Sequence, residues 1–179
     1  MSTLPETEVK FYIQNSLDKD WLPQPGTHGA VGYDCKANVL DMPEFGHLDF
    51  ASHTKKDTIV YNHEHSGKNI LIPLGIQAII PEGYWLEIRP RSSTFAKVGL
   101  ICLDGVIDED YTGEIKLACK LFIADGYTIE ISHGQKIAQL ILHKKHTFTS
   151  TDISKADFDK LAEVKIKQRD PAGFGTTGK

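Results

Sequence analysis

The segment 105–114, with the sequence GVIDEDYTGE, places three acidic side chains beside an aromatic ring. The acids directly follow a Val-Ile pair, where a β-hairpin is expected to turn. One carboxylate, Asp108, could serve as a general base at the floor of a pocket, with Tyr111 closing over a ring of the ligand. The spacing alone favours the simpler interpretation, a solvated acidic turn.

A second group of polar residues could bind phosphate oxygens. Arg89 and Arg91 are followed by three hydroxyl residues at 92–94. Two guanidinium groups and several hydroxyls at one turn suit charge-assisted bonds to an anion. A strand-to-helix corner with a capping serine explains the same residues equally well.

The segment 173–178, GFGTTG, matches the glycine pattern of dinucleotide-binding turns. That pattern needs a helix directly after it and an acidic residue about 20 positions further on, and neither follows here. A flexible Gly/Thr arm can still wrap phosphates with backbone N–H groups. Taken alone, the segment is interpreted as a disordered tail.

Metal and disulfide signals are weak. His63 and His65 would share a face if they lay on a strand, but without a third ligand we favour a solvated loop. The three cysteines are an odd number, widely spaced and without a C-x-x-C pair, so neither a disulfide framework nor a thiolate zinc site is expected.

Composition narrows the class of protein. The chain has 179 residues, 40% hydrophobic residues and a net charge of -4, which suits one domain with its own core. The acidic balance argues against stable nucleic-acid binding, so local cations or a metal would have to hold any anionic substrate. The sequence shows no signal peptide and no apolar run of roughly 18 residues, so we expect no membrane association. We expect a cytoplasmic protein, in a cell or in an infected host cell, and a nuclear location is the alternative.

The residues that could do chemistry are separated by short strands. Turn residues such as Pro81, Asp104-Gly105 and Gly126 punctuate them, which favours an all-β sandwich or barrel. Single helical turns are predicted at 92–97 and 154–161, a polar excursion at 41–68 and a flexible arm at 169–179. The predicted strands are 9–13, 58–61, 69–73, 76–80, 84–88, 100–107, 114–123, 127–131 and 136–142.

Five segments, in order, resemble the motifs of the trimeric dUTP diphosphatases (dUTPases). They are AVGYDCKA at 30–37, PRSS at 90–93, GVIDEDYTGEI at 105–115, GQKIAQL at 134–140 and RDPAGFGTTG at 169–178. Each would be weak alone, but five in order across nearly the whole chain form a strong signal. The resemblance reverses the preference for a solvated turn at 105–114 and for a disordered tail.

The resemblance implies a fold, an assembly and a reaction. The fold would be a jelly-roll-like distorted β barrel over residues 1–168, forming a homotrimer with shared active sites, and the arm at 169–179 would close over one of them. The reaction would be hydrolysis of dUTP to dUMP and pyrophosphate, which limits uracil incorporation into DNA and supplies dUMP. Mg²⁺ would be held by the substrate phosphates and water, with Asp34 either structural or reaching the ion through water.

Residue roles carry over by matching motifs. Asp108 would activate the attacking water, while the hairpin at 101–108 would read uracil through its backbone and Tyr111 would exclude a 2′-hydroxyl. Phe174 would stack on uracil, and Arg169 would act as an arginine finger. The remaining catalytic matches are Arg91, Ser92 and Gln139, and the remaining substrate-binding matches are Ser93, Cys102, Gly105, Ile107, Lys136, Thr176 and Thr177.

Two departures and two alternatives accompany the resemblance. Gln135-Lys136 stands where the family usually has an acid and an arginine, and Asp170-Pro171-Ala172 replaces a more Gly-rich stretch. The related dCTP deaminases need a glutamate where Ala118 stands here. A non-catalytic β-barrel trimer that binds nucleotide or protein is the second alternative, although it would not need Asp108.

Overall fold

The computed structural model describes residues 7–42 and 57–165. Within these ranges the chain forms twelve β-strands and one α-helix. The elements are β1 (Lys10–Ile13), β2 (Gln24–Pro25), β3 (Gly32–Lys36), β4 (Thr58–Tyr61), β5 (Asn69–Pro73), β6 (Ile76–Ile79), β7 (Tyr84–Pro90), β8 (Ile101–Cys102), β9 (Gly105–Ile107), β10 (Lys116–Lys120), β11 (Ile129–Ser132), β12 (Lys136–Lys144) and α1 (Lys155–Lys165).

Every strand pairing in the described residues is antiparallel. The largest sheet has five strands in the order β2-β3-β12-β7-β9, and a three-stranded sheet has the order β5-β10-β8. Two further pairs join β1 to β6 and β11 to β4. The prediction of an all-β fold is confirmed.

The core follows from alternation of apolar residues along the strands. In β7, Leu86 and Ile88 are buried while their neighbours are exposed or half-buried, and in β10 Leu117 and Cys119 are buried between exposed lysines. Side chains on successive strand positions point to opposite faces, so this period-two burial places one face of each sheet on the core. β12 runs through the centre of the five-stranded sheet and therefore positions residues from several motifs.

Most predicted strands are present with shifted ends, but two regions differ. The first motif, predicted without a strand, contains β3, whose central residues Tyr33 to Cys35 pair with β12. The run 100–107 is not one strand: β8 pairs with β10, whereas β9 pairs with β7. β8 and β9 therefore do not pair with each other, and the hairpin predicted at 101–108 is instead a connection between two sheets. The chain turns there at Asp104-Gly105, as the turn residues indicated.

Local helical structure lies close to the predicted positions. A short π-helical segment spans Thr94–Val98 and ends at Gly99, whose φ of 79° is readily adopted without a Cβ. The predicted polar excursion at 41–68 includes β4 and a 3₁₀ turn at His63–His65, while residues 43–56 of it lie outside the described residues.

The chain divides into two compact units, Met1–Lys145 and His146–Lys179. The predicted domain limit at 168 stays a prediction, because residues 166–179 lie outside the described residues. In the second unit, Ser154 Oγ accepts a hydrogen bond from the N–H of Asp157 at 3.2 Å and caps α1. In the part of the chain that the structure describes, no helix has the length and apolar character needed to cross a membrane.

Candidate active site

Four predicted site residues meet on the five-stranded sheet, and we call them the Asp34 cluster: Asp34, Arg91, Lys136 and Gln139. Arg91 Nε lies 2.7 Å from one carboxylate oxygen of Asp34, and Lys136 Nζ lies 3.2 Å from the other. The Asp34 side chain is 6% exposed, whereas Arg91 is 33% and Lys136 46% exposed. A buried carboxylate thus holds two partly exposed cations in place, an arrangement suited to binding an anion.

Strand register brings this cluster together. Gln139 of β12 lies directly opposite Asp34 of β3 on one side and Arg89 of β7 on the other. The side-chain Nε2 of Gln139 donates to the carbonyl oxygen of Pro90 at 3.2 Å. The sequence predicted these residues separately from three motifs, and the pairing of β3, β12 and β7 makes them neighbours.

Gly32 is needed for the position of Gln139. A Cβ added at Gly32 would overlap the side-chain amide of Gln139. The glycine of the first motif therefore leaves room for a residue of the fourth motif, since a larger residue would displace the amide.

The strand-to-helix corner after β7 differs from the phosphate-binding interpretation in two respects. Thr94 is fully buried, and its hydroxyl donates to the carbonyl oxygen of Ile137 at 2.5 Å, so it anchors the corner rather than facing a ligand. Arg89 is bound to Glu87 at 2.7 Å and lies 3.7 Å from Asp104. Ser92 is exposed and Ser93 half-buried, so these two hydroxyls remain at the surface.

A cavity of about 370 Å³ lies against β9 and the residues that follow it. We call it the hairpin cavity, after the segment 101–108 that was predicted to be a hairpin. This volume falls within the usual range for small-molecule sites, about 300–1,000 Å³. Three predicted substrate-binding residues line it: Gly105, Ile107 and Tyr111. The other lining residues are Leu71, Ile88, Val106, Glu114, Ile115 and Lys116.

The sequence did not single out Leu71, Ile88 or Lys116 as site residues. Leu71 and Lys116 belong to β5 and β10, which pair with each other, and Ile88 lies opposite Gly105 in β7. Leu71 is 53% exposed although it is apolar. An apolar residue on the outward face of a predicted strand is the signal from which the sequence could have indicated a binding surface.

Two glycines shape the hairpin cavity. A Cβ at Gly105 would lie 2.8 Å from Cγ2 of Ile88, and a Cβ at Gly113 would lie 2.7 Å from Cζ of Tyr111. The Tyr111 ring therefore packs directly over Gly113, and its hydroxyl donates to the carbonyl oxygen of Glu114 at 2.9 Å. These contacts fix the ring at the edge of the cavity while leaving the residue 46% exposed.

The acids of the 105–114 segment have different surroundings. Glu109 accepts a hydrogen bond from the backbone N–H of Gly83 at 3.0 Å and lies 3.3 Å from Nζ of Lys145. The Gly83 bond first, and then Lys145, lower the pKa of the Glu109 carboxyl. Asp108 is exposed, and no side chain in residues 7–42 and 57–165 forms a hydrogen bond or ion pair with it. Glu109 thus anchors the segment, and Asp108 is left available for a ligand or water.

Within one chain, Asp108 and the Asp34 cluster are well separated. Ile107 pairs with Leu86 near the start of β7, whereas Arg91 directly follows its end. If the register continues by one residue to Asp108, six strand positions separate it from Arg91, or about 20 Å at roughly 3.4 Å per residue. A single chain therefore does not bring this carboxylate and these cations to one point.

Other predicted residues fall elsewhere. The Cys102 thiol contacts Cys119 and not the hairpin cavity. His63 and His65 lie in a 3₁₀ turn rather than on a strand face: the His65 ring bonds to Asn62, and His63 lies 3.6 Å from Asp125. Arg169, Phe174, Thr176 and Thr177 lie outside the described residues.

The contacts of Asp34 indicate that its carboxylate would not bind a metal ion directly. Both carboxylate oxygens already contact cations, and the described ranges contain no group of three or more His, Cys, Asp or Glu side chains that could hold an ion. The exposed cations of the Asp34 cluster suit a metal–phosphate complex that brings its own ligands.

Fold and site together define a class: antiparallel β-barrel proteins that combine a cavity of small-molecule size with a cluster of cations suited to binding an anion. The chain belongs to the dUTPase family, whose model matches residues 48–178. A deoxyuridine 5′-triphosphate nucleotidohydrolase from Fusobacterium nucleatum is 32% identical over 98% of this chain and 100% of the relative. One from Finegoldia magna is 38% identical over 73% of this chain and 83% of the relative.

Solved structures that share this fold include dUTPases. The Streptococcus mutans dUTPase matches with a TM-score of 0.59 at 24% identity, covering 78% of this chain and 98% of that one. A dUTPase mutant from phage phi11 of S. aureus, described as coordinating a structural Mg(II) ion, matches with a TM-score of 0.61 at 19% identity. That match covers 83% of this chain and 97% of the phage protein.

Proposed function

We propose that the chain hydrolyses dUTP to dUMP and pyrophosphate. The observation that carries this proposal is the exposed carboxylate of Asp108 directly after Ile107, at the margin of a cavity that has room for a nucleoside. Family membership and the relatives named as deoxyuridine triphosphate nucleotidohydrolases support the same reaction.

The nucleoside would enter the hairpin cavity. Backbone groups of the hairpin at 101–108 would pair with uracil and reject cytosine, because the exocyclic amine of cytosine presents a donor where the site needs an acceptor. The Tyr111 ring, held over Gly113, would pack on the deoxyribose and leave no room for a 2′-hydroxyl. Selection of the base would thus come from backbone groups, and selection of the sugar from a ring that is held in place.

The triphosphate would bind the cations of the Asp34 cluster. Arg91 and Lys136 are partly exposed and are oriented by Asp34, so they can face phosphate oxygens without rearrangement. Gln139 and Ser92 would supply neutral hydrogen bonds beside them. From the arm, we expect Arg169, Thr176 and Thr177 to contact the terminal phosphate and Phe174 to cover uracil.

Asp108 would orient and deprotonate the water that attacks the α-phosphorus. The carboxylate has to lie within hydrogen-bond reach of that water, while positive charge elsewhere compensates the developing charge on the phosphate. General-base assistance of this kind contributes roughly 10²–10⁴-fold to the rate.

The distance between the two halves of the site supports active sites that are shared between subunits, and the resemblance to the family implies that there are three subunits. Extension of the β7–β9 register places the backbone of Asp108 about 20 Å from that of Arg91 in the same chain. A site that needs both would be completed by placing the Asp108 of one subunit next to the Arg91 of another. Closed cyclic symmetry would repeat the contact and give every subunit the same environment.

Mg²⁺ would enter with the triphosphate, which together with water would supply most of its ligands, and would neutralise phosphate charge. Asp34 would keep its bonds to Arg91 and Lys136 and affect the ion only through water. Both carboxylate oxygens of Asp34 already contact cations, which supports this assignment.

Pyrophosphate release from dUTP, dTTP, dCTP and UTP, each with and without Mg²⁺, tests the proposal. We expect release from dUTP with Mg²⁺ at a rate far above that from the other three nucleotides. Ammonia release from dCTP without pyrophosphate would identify a deaminase instead. Tight dUTP binding without turnover would identify a binding protein and would contradict the role of Asp108.

A further inference from the structure

Two cysteine side chains face each other at the start of the hairpin that borders the cavity. Cys102 of β8 lies directly opposite Cys119 of β10, and the two Sγ atoms are 2.9 Å apart. Both are free thiols in this structure. The proposed hydrolysis of dUTP uses neither thiol group, so their placement calls for a separate explanation.

The backbone geometry at this pair suits a cross-strand disulfide. The N–H of Leu103 donates to the carbonyl oxygen of Ala118 at 2.9 Å, which marks 103 and 118 as a hydrogen-bonded pair. Pairs alternate along an antiparallel ladder, so Cys102 and Cys119 occupy a non-hydrogen-bonded position, where the Cα atoms are about 4.5 Å apart. Disulfides span Cα separations of about 4.4–6.8 Å, so no strand has to move far.

The opposite edge of β10 confirms this alternation. Leu121 donates its N–H to the carbonyl oxygen of Lys68 at 3.0 Å, on the β5 side of the strand. Residues two apart on a strand direct their backbone groups to the same side, so Cys119 also bonds toward β5 and leaves its β8 side free of ladder bonds. The thiols therefore meet where side chains approach most closely.

The surroundings of the two thiols predict that they differ in reactivity. The hydrogen bond donated by Cys119 lowers the pKa of Cys102, against the opposing effects of burial and Asp104. The same bond and burial raise the pKa of Cys119. Cys102 is also half-buried, whereas Cys119 is buried. Since the thiolate is the nucleophile, Cys102 would react first and Cys119 would resolve the product.

We propose that Cys102 and Cys119 form a reversible disulfide within one chain when the protein meets a small-molecule disulfide, and that this bond fixes the hairpin beside the cavity. The Cys102 thiolate attacks one sulfur of the small disulfide, forms a mixed disulfide and releases one thiolate. Cys119 then loses its proton, attacks the Cys102 sulfur and releases the second thiolate. Two protein thiols are oxidised, and one small disulfide is reduced to two thiols.

The bond would act on the part of the cavity that the rest of the fold holds least. Leu103 and Val106 in the hairpin are 70% and 69% exposed, and β8 contributes only two residues to its sheet. Local opening is easiest where backbone hydrogen bonds are exposed and packing is sparse. A covalent link from β8 to β10 would suppress such opening next to Gly105.

Incubation with oxidised glutathione, followed by alkylation of the denatured protein and peptide mass spectrometry, tests the proposal. We expect the peptides that contain Cys102 and Cys119 to be linked, with a mass lower by two hydrogens than the sum of the two reduced peptides. Dithiothreitol should break this link. Cys35 is the internal control: it is buried, and burial, together with Asp34, raises its pKa, so it should stay a free thiol. Free Cys102 and Cys119 after incubation, or disulfides between chains, would overturn the proposal.

Hydrogen exchange of the Leu103 amide provides a second test that does not depend on enzymatic activity. Exchange should slow by about tenfold or more after oxidation, because the link removes the open states in which β8 separates from β10. In Cys119→Ala, Cys102 can form only the mixed disulfide with glutathione, which makes no link to β10, so exchange at Leu103 should not slow. Equal exchange in reduced and oxidised wild-type protein would show that the bond does not fix the hairpin. Neither test uses dUTP, so their failure is distinguishable from failure of the proposed hydrolysis.

Discussion

Arg91 Nε donates to Oδ1 of the buried Asp34 at 2.7 Å, and this bond joins the second sequence motif to the first. Nζ of Lys136, from the fourth motif, lies 3.2 Å from the other carboxylate oxygen of Asp34. We therefore propose that Asp34 is a positioning residue, which orients two cations, rather than a free ligand. The acid missing from the fourth motif leaves this arrangement intact, since Asp34 supplies the carboxylate that Lys136 contacts.

Asp34→Asn should lower kcat/KM for dUTP by about 10–100-fold, because loss of one charge leaves Arg91 and Lys136 without their common partner. Steady-state pyrophosphate release is the measurement. Asp41→Asn is the matched control: Asp41 accepts a side-chain bond from Asn38 at 2.6 Å but contacts no cation in the described ranges. Equal effects of the two changes would contradict the positioning role.

Asp108→Asn should remove nearly all turnover, by about 10²–10⁴-fold, while an imido analogue of dUTP still binds. The amide keeps the size of the side chain but cannot accept a proton. Single-turnover kinetics and calorimetry measure the two quantities. Asp110→Asn changes the same charge on an exposed acid two residues away and should retain turnover. Normal hydrolysis by Asp108→Asn would exclude the water-activating role.

Gly32→Ala should lower turnover, because the new Cβ would overlap the Gln139 amide and displace it from the Asp34 cluster. The overlapped atoms are the end of a flexible side chain that can move aside, so the loss of thermal stability should be small. Gly29→Ala is the control, since a Cβ at Gly29 meets nothing within 4 Å. Differential scanning calorimetry and dUTP turnover of both variants check the expectation, which an unaffected Gly32→Ala would contradict.

The sequence predicted much of the fold because alternating apolar residues report directly on half-buried strands. It could not place β3, since Gly32 to Lys36 is paired on both sides in the sheet and lacks simple alternation. It also joined β8 and β9 into one strand, because a continuous apolar run does not reveal that its two halves pair with different sheets.

The site was predicted in pieces for a related reason. Motif matching named Asp34, Arg91 and Lys136, but the bonds between them depend on strand order, which distant residues determine. Thr94 was grouped with the phosphate-binding hydroxyls because a hydroxyl that bonds to Ile137 looks the same in sequence as one that faces solvent. The separation of Asp108 from Arg91 along β7 likewise follows only from the pairing of β7 with β9.

Glu109 should contribute stability that depends on pH. The pKa of its carboxyl is lowered in the folded chain by the Gly83 N–H and Lys145, so its contribution is complete above the unfolded value of about 4.3. It is lost as the pH falls below that value and through the lower folded pKa. Melting temperatures of wild type and Glu109→Gln should therefore differ at pH 7 and become equal at acidic pH. The control is Glu130→Gln, at an exposed position on β11, whose melting temperature should equal that of wild type at every pH.

Mixing two inactive variants should restore activity if active sites are shared. The Asp108→Asn chain keeps its Arg91, and the Arg91→Gln chain keeps its Asp108, so a site between unlike subunits can contain both intact residues. After co-refolding at equal amounts, random assembly gives both residues to about one quarter of sites. We therefore expect turnover near that fraction of wild type, although each variant alone is nearly inactive.

Two controls make the complementation decisive. Mixing the separately assembled variants without refolding should give recovery only to the extent that subunits exchange between assemblies. The second control is a double variant that carries both changes, co-refolded with wild type. Its chains supply neither intact residue, so they should lower the activity of the mixture and should not complement each other. If sites lay within single chains, no mixture of the two single variants could exceed their own residual rates. That result would contradict the shared site that the separation of Asp108 and Arg91 along β7 leads us to propose.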